Sequence, residues 1–422
     1  MYCGNCFRDN ALVAALRRMG HDVTMVPLYL PMTLDEEDQS SGTPIFFNGI
    51  NVYLEQKSAF FRNAPEWLHK LFRSSFLLKL AGRQAGKTRA EDVSDLTISM
   101  LKGEEGNQAR ELSELITFLK SRPRKPDAIT LSNAMLVGLA RRLKSELACR
   151  IVCELQGEDA FLDSMKEPDR SLVWETMADR ARDVDLFVAP SRYFGETMAR
   201  RLSLPMEKVA VVPNGINLDG YPTAPAEPPS DPPVLGYFAR MCEEKGLHLL
   251  VETFINLKRR EDMKSLRLRI GGGCGPGDEA FVARLKRHMK AEGVLDDVEF
   301  HPNLDRTEKI AFYHSLSVFC VPALYGESFG LYLIEAMAAG VPIVQPRHAA
   351  FPEILEESGA GLIAEANAGA LADAVHKLLK TPGKHAACRN SGLDAVRARY
   401  NVDAMAEAFV SAMETRLPAG SN

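Results

Sequence analysis

Residues 317–345 constrain the fold of this chain more than any other stretch. Ser317-Val-Phe-Cys-Val-Pro322 is an apolar run of the length expected for a strand buried on both faces, and Val341-Pro-Ile-Val344 is another. Between them, Leu331 to Ala339 has no Pro or Gly and is rich in strong helix formers. The spacing therefore predicts a strand-helix-strand unit of an α/β sheet, with Gly340 ending the helix. Ligands of open α/β sheets sit outside the carboxyl ends of the strands, which is where the loop Tyr325 to Gly330 must lie. A helix beginning near Phe329 or Gly330 aims its free N–H groups and positive dipole end at that crevice, a natural site for a phosphate. Two carboxylates flank the same end, Glu327 in the loop and Glu335 in the helix. A carboxylate repels phosphate, so these two are better placed to accept hydrogen bonds from sugar hydroxyls. The plain alternative is surface charge on a helix.

The context decides between them. Seven residues separate the two Glu, Phe329-Gly330 follows the first, and Glu335-Ala-Met-Ala-Ala-Gly-Val-Pro342 surrounds the second. This pattern resembles the signature of retaining glycosyltransferases of family 4. The likeness is close from Val234 to Pro352 and looser from Tyr2 to about Phe409. It implies the GT-B fold: α/β, two Rossmann-like doubly wound domains facing a central cleft. It also implies transfer of a sugar from a nucleotide-diphosphate-sugar donor, UDP- or GDP-linked, with retention of anomeric configuration. The donor is a substrate, so no cofactor is expected. By resemblance Glu327 holds hydroxyls of the transferred sugar, Glu335 holds the ribose, and Ser328, Phe329, Gly330 and Leu331 complete the donor loop.

Arg240 and Lys245, after the strand Val234-Leu-Gly-Tyr-Phe-Ala239, match the family's Arg and Lys that hold the donor diphosphate. A diphosphate leaving group gains negative charge as the glycosidic bond breaks, and two fixed cations stabilise that charge without a metal. Glu327, Arg240 and Lys245 are thus the catalytic candidates. Leu266-Arg-Leu-Arg-Ile-Gly-Gly-Gly273 resembles the family's Gly-x-Gly element, which adds Gly273 to the donor site. Asn303 follows the strand at Val298 in the place where relatives bracket the base. No side chain stands out as a nucleophile, which suits a front-face mechanism in which the donor phosphate accepts the acceptor's proton. Two other readings stay open on the same fold: a nucleotide-sugar epimerase or hydrolase, and a sugar-nucleotide binding protein without catalysis.

Between Tyr221 and Val234 six of twelve residues are Pro, a composition that makes a semi-rigid spacer. The expected division is an amino-terminal acceptor-side domain over 1–220, the linker 221–233, a nucleotide-sugar domain over 234–400, and a last helix over 401–422 that, by resemblance, crosses back to the first domain. The amino-terminal half opens on Asn5 and a helix over Ala11 to Gly20, then a strand over His21 to Tyr29. A Rossmann-like half normally starts with a strand before its first helix, so the natural start is expected upstream of Met1. Asn5, from the loop before that helix, belongs to the sugar or acceptor side. Strand Arg150-Ile-Val-Cys-Glu-Leu155 leads into the turn Gln156-Gly-Glu-Asp159, where family members often carry a His near the donor sugar. Here Gln156, Glu158 and Asp159 are the candidates for those contacts. Asn214-Gly-Ile-Asn217 resembles a further family turn, with Asn217 in place of Asp.

Several features carry weaker readings. Asp183 and Asp185 form an Asp-x-Asp, but they precede their strand, at the end away from the crevice, so no metal is expected there. Cys3 and Cys6 form a Cys-x-x-Cys, readable as a redox pair, half a metal site or simple packing. No second Cys pair or His cluster completes a zinc site. A hairpin is expected around Asn48-Gly49. Segment 62–89 carries seven Lys or Arg against one Glu, interleaved with large apolar residues. It reads either as a peripheral contact with a membrane face or anionic acceptor, or as a helix packed on its own domain with its charges solvated. Net charge of −5 argues against a nucleic-acid partner. Without an 18-residue apolar run or a basic-then-apolar leader, the expectation is a cytoplasmic protein acting on a glycan, a lipid-linked or a small-molecule acceptor.

Overall fold

The computed structural model describes residues 4–28, 36–47, 90–221 and 231–417. Two parallel sheets organise these residues. The first has the order β1 (Ala128–Leu131), β2 (Arg150–Glu154), β3 (Leu186–Ala189), β4 (Val209–Val211). The apolar residues of its two central strands, β2 and β3, are buried on both faces, so these strands read as continuous hydrophobic runs. Ile151, Cys153, Phe187, Ala189 and Val209 point into one core, while Val152, Leu186, Val188 and Ala210 point into another.

That second core joins the two ends of the chain. Ala11, Leu12, Ala15 and Leu16 of the helix Gly4–Arg18 pack with Val402, Met405, Ala406 and Phe409 of the helix Val402–Arg416 over the same sheet face. The last helix therefore packs on the first sheet. Gly215 lets it do so closely, because a Cβ there would lie 2.1 Å from the Asn401 carbonyl oxygen.

The second sheet has six parallel strands: β5 (Val234–Phe238), β6 (Arg267–Gly272), β7 (Val298–Pro302), β8 (Val318–Phe319), β9 (Ile343–Pro346) and β10 (Gly361–Ala364). Their spatial order is β10-β9-β8-β5-β6-β7. Chain order runs outward from β5 through β7, then returns to place β8 on the other side of β5. A doubly wound sheet opens a crevice at that reversal, at the carboxyl ends of β5 and β8. Gly246, at φ +70°, brings the loop after β5 against the segment after β8, where a Cβ would meet the Pro322 carbonyl oxygen at 1.8 Å. Any side chain at 246 would force the two loops apart.

Some expected elements differ. The first helix begins at Gly4 rather than Ala11, which places Asn5 and Cys6 in its first turn. Residues 21–28 form no strand. Val23, Val26 and Leu28 are only partly buried against the cores, and the segment is tied down by Phe47 N donating to Leu28 O at 2.7 Å and Arg17 Nε to Val23 O at 2.9 Å. Alternating apolar residues record burial, and burial needs no ladder partner. The hairpin at Asn48-Gly49, Cys3 and the basic segment 62–89 lie outside the described residues. No helix among the described residues is long and apolar enough to cross a membrane.

Candidate active site

The crevice at the strand reversal is a cavity of about 400 Å³ lined by both halves of the chain. From the loop after β5 come Arg240 and Lys245, and from the segment after β8 come Glu327 to Leu331 and, one turn further, Glu335. The helix Leu331–Ala338 starts at Gly330, whose φ of +86° makes the sharp entry.

Glu327 is 7 % exposed and carries three donors on one oxygen. Lys245 Nζ lies 2.6 Å from its Oε2, and the Tyr325 and Tyr332 hydroxyls donate to the same atom at 2.9 and 2.8 Å. Lys245 also meets the Tyr325 hydroxyl and sits 4.7 Å from the centre of that ring. Burial pushes the Glu327 carboxyl up, but the Lys245 ammonium and the two hydroxyls outweigh it and hold it below the usual carboxylate range. With Oε2 saturated, Oε1 is left for a ligand hydroxyl.

Glu335 is held differently. Lys309 Nζ donates to Oε1 at 2.7 Å and the Tyr313 hydroxyl to Oε2 at 2.9 Å, so each oxygen keeps acceptor capacity for a diol. Lys309 and Tyr313 stand four apart on the helix Arg306–His314, on one face.

Arg240 points outward with 65 % of its side chain exposed. Its Nε and Nη2 edge binds Asp278 at 2.8–3.2 Å, and Asp278, nearly buried, also accepts from the Gly275 backbone N–H at 3.0 Å. A carboxylate on that edge leaves Nη1 and the other side of Nη2 available at the cavity's rim, donors suited to phosphate oxygens. The hydrogen bonds that Arg240 donates to Asp278 raise its pKa further, so the cation is permanent.

Gly273 and Asn303 close the opposite rim. The Asn303 side chain bonds the Cys274 backbone N–H and carbonyl at 3.1 and 3.2 Å, and Asn303 N donates to Gly272 O at 2.9 Å, so the two turns form one unit. Ser328, Phe329, Gly330, Leu331, Asn5 and Gln156 also line the cavity.

Two expected contacts are corrected. Glu158 does not reach the cavity. Its carboxylate accepts from the backbone N–H groups of Ala134, Gln156 and Gly157 at 2.8–3.0 Å and holds the turn together, although burial still pushes its pKa up. Asp159 is likewise absent from the lining and buried beside Gly326 and Tyr193. Asp183 pairs with Arg141 at 3.0 Å and Asp185 with Lys144 at 2.6 Å, at the amino end of β3. Among the described residues no group of three His, Cys, Asp or Glu could hold a metal ion.

The halves also meet directly. Ser191 caps the helix Arg192–Arg201 by accepting from Phe194 N, while its hydroxyl donates to the Ser328 carbonyl at 2.6 Å. Glu353 of the second half accepts from Arg192 N and Tyr193 N, at 2.8 and 3.0 Å, on the positive end of that helix. The loop Tyr325 to Gly330 is thus braced by the other half of the chain.

Residues 223–394 match the family of glycosyl transferases group 1, and residues 10–215 match the glycosyl transferase 4-like domain. The chain belongs to glycosyltransferase family 4. Among curated relatives, this chain is 31 % identical to a phosphatidyl-myo-inositol mannosyltransferase of Mycobacterium leprae over 214 residues, 50 % of this chain and 54 % of that protein. The match thus spans about half the relative's length. Among solved structures, a sucrose-phosphate synthase from Thermosynechococcus elongatus superposes with a TM-score of 0.58 at 22 % identity, over 72 % of this chain and 78 % of that one. HepE of Anabaena in complex with UDP superposes with a TM-score of 0.62 at 16 % identity, over 74 % and 83 %. The fold of the chain is GT-B.

Tyr325, Tyr332, Lys309, Tyr313, Asp278 and Arg8 were not among the sequence-derived candidates. Asp278 had a signal, since it follows Gly275-Pro-Gly277 directly before a helix. Lys309 and Tyr313 had only their spacing of four.

Proposed function

We propose that the protein transfers a sugar from a nucleotide-diphosphate-sugar, UDP- or GDP-linked, to an acceptor hydroxyl with retention of anomeric configuration. The observation that carries this is the convergence of Arg240 and Lys245 from one side of the strand reversal with Glu327 and Glu335 from the other. HepE of Anabaena, solved with UDP, supports a uridine donor for a fold of this kind. The donor would lie on the domain 234–400 and the acceptor against the domain 1–220.

In this reading the bond from the anomeric carbon to the diphosphate breaks with its electron pair passing to the departing phosphate oxygen. Arg240 and Lys245 take up that charge together with the N-terminus of the helix Leu331–Ala338. The acceptor oxygen bonds the anomeric carbon on the same face, and its proton passes to the departing phosphate oxygen. Glu327 is an unsuitable nucleophile, because three donors converge on one of its oxygens. Its role is to hold sugar hydroxyls through Oε1.

Incubation with isotope-labelled nucleotide sugars, with and without acceptors, tests the reading: a glycoside of unchanged anomeric configuration is expected. Free sugar or an epimer formed without acceptor would assign a hydrolase or epimerase instead. Activity is also expected to survive thorough EDTA treatment, because fixed cations serve the leaving group. Complete loss restored by manganese or magnesium would overturn the metal-independent mechanism.

A further inference from the structure

The two walls of the cleft differ in charge. From the carboxyl-terminal half, Arg240, Lys245, Arg306 and Lys309 face the cavity. Among the described residues, the amino-terminal half contributes only two charged side chains to the lining, Arg8 and Glu36. Glu36 is an anion paired with Arg306 at 3.2 Å, and Arg306 also donates to the carbonyls of Asn217 and Asp219. Arg8 is 4 % exposed and held between two carboxylates, Glu154 at the end of β2 and Asp9 at 2.6 Å. Burial pushes the Asp9 carboxyl up to about 6, against the pull of Arg8. Among the described residues, a phosphate on this wall would meet no cation that is not already held against a carboxylate.

The rest of the wall suits hydroxyls. Arg8 Nε donates to Asn214 Oδ1 at 3.1 Å, which turns the Asn214 amide so that its NH₂ remains to donate. Gln156 Nε2 donates to Glu154 Oε2 at 3.1 Å, which leaves its carbonyl oxygen to accept. A hydroxyl needs a donor and an acceptor at once, and these two amides, both in the lining, supply one each. Phe7 adds an apolar face to the same wall, suited to the C–H surface of a sugar ring.

We infer that this wall is the acceptor subsite and that it takes a neutral polyhydroxylated acceptor, a free sugar, a polyol or the unsubstituted end of a glycan, in preference to a phosphorylated or otherwise anionic one. The inference rests on the glycosyl-transfer reading. Its test begins with calorimetry on UDP-glucose, UDP-galactose and GDP-mannose, and the donor that binds is then offered matched acceptor pairs. Glucose against glucose 6-phosphate, mannose against mannose 6-phosphate and myo-inositol against myo-inositol 1-phosphate differ only in the phosphate. The neutral member of a used pair is expected to show kcat/KM higher by at least about tenfold, with the gap narrowing as salt is added. Asp9→Asn removes one of the two carboxylates and is expected to shrink that ratio about threefold or more without changing nucleoside-diphosphate affinity. Equal or better use of the phosphorylated member overturns the inference, and so does a donor-binding protein that uses none of the neutral acceptors. A protein that binds no nucleotide sugar at all gives a different result, which sinks the glycosyl-transfer reading itself.

Discussion

Lys245→Ala is expected to cost the protein both nucleotide affinity and stability, whereas Arg240→Ala should cost affinity alone. The difference comes from what each cation leaves behind. Arg240 is mostly exposed, and its partner Asp278 keeps the Gly275 N–H, so truncation removes mainly a charge-assisted bond to the diphosphate, about 1.5–3 kcal/mol. Lys245 is the counterion of a carboxylate that is 7 % exposed. Removing it strands Glu327 with only two tyrosine hydroxyls, at a cost of about 2–4 kcal/mol in folding on top of the lost phosphate contact.

Acid behaviour separates this from general loss of packing. In the wild type the Glu327 carboxyl is held below its ordinary value, so its contribution is complete above the unfolded-state value near 4.5 and is lost as pH falls through the depressed folded one. Without Lys245 burial dominates, the folded value rises above the unfolded one, and protonation relieves the mutant as pH falls. The melting-temperature deficit of Lys245→Ala should therefore be largest near pH 7 and shrink toward pH 4.5. A deficit independent of pH, or wild-type nucleoside-diphosphate affinity in both variants, would remove these two cations from the proposed site.

How much of this was legible beforehand follows from which interactions are local. The unit 317–345 could be read because each of its parts, an apolar strand, a Pro-free helix and a terminating glycine, is specified by adjacent residues. Strand, loop and helix then place Glu327 and Glu335 at the carboxyl end of β8 with no knowledge of the remainder. Lys245 and Arg240 were singled out by the resemblance to family members, to which their place just after a strand added.

What failed was contact across sequence. Lys245 and Glu327 are both readable as site residues, yet nothing in either segment says that they form an ion pair with each other. Glu158 illustrates the opposite error: a polar residue in a turn at the mouth of a sheet looks poised for a ligand, but three backbone N–H groups in its own neighbourhood claim it first. The brace from Ser191 and Glu353 to the opposite domain has no local sign, because a serine that caps a helix looks the same whether or not its hydroxyl also reaches Ser328.

The two glutamates are expected to separate binding from turnover. Glu327→Gln keeps the size of the side chain and removes the charge that strengthens its bonds to sugar hydroxyls, so it should lower kcat by about 1.5–3 kcal/mol of transition-state stabilisation, roughly 10- to 150-fold. Affinity for nucleoside diphosphate, which carries no sugar at that position, should not fall. It has reason to rise slightly, because Lys245 loses its 2.6 Å counterion and can give its full charge to phosphate. Glu335→Gln acts on the other end of the donor. Its carboxylate holds a Lys309 ammonium and a Tyr313 hydroxyl, one on each oxygen, and an amide at that position turns one acceptor into a donor facing groups that already donate. Ribose binding should weaken with it, by about 1–3 kcal/mol in nucleoside-diphosphate affinity. Calorimetry with the nucleoside diphosphate, beside steady-state kinetics with the complete donor, measures both quantities on both variants. If the two variants lose diphosphate affinity equally, or neither loses any, then the division of sugar to Glu327 and ribose to Glu335 is wrong, whatever the family assignment.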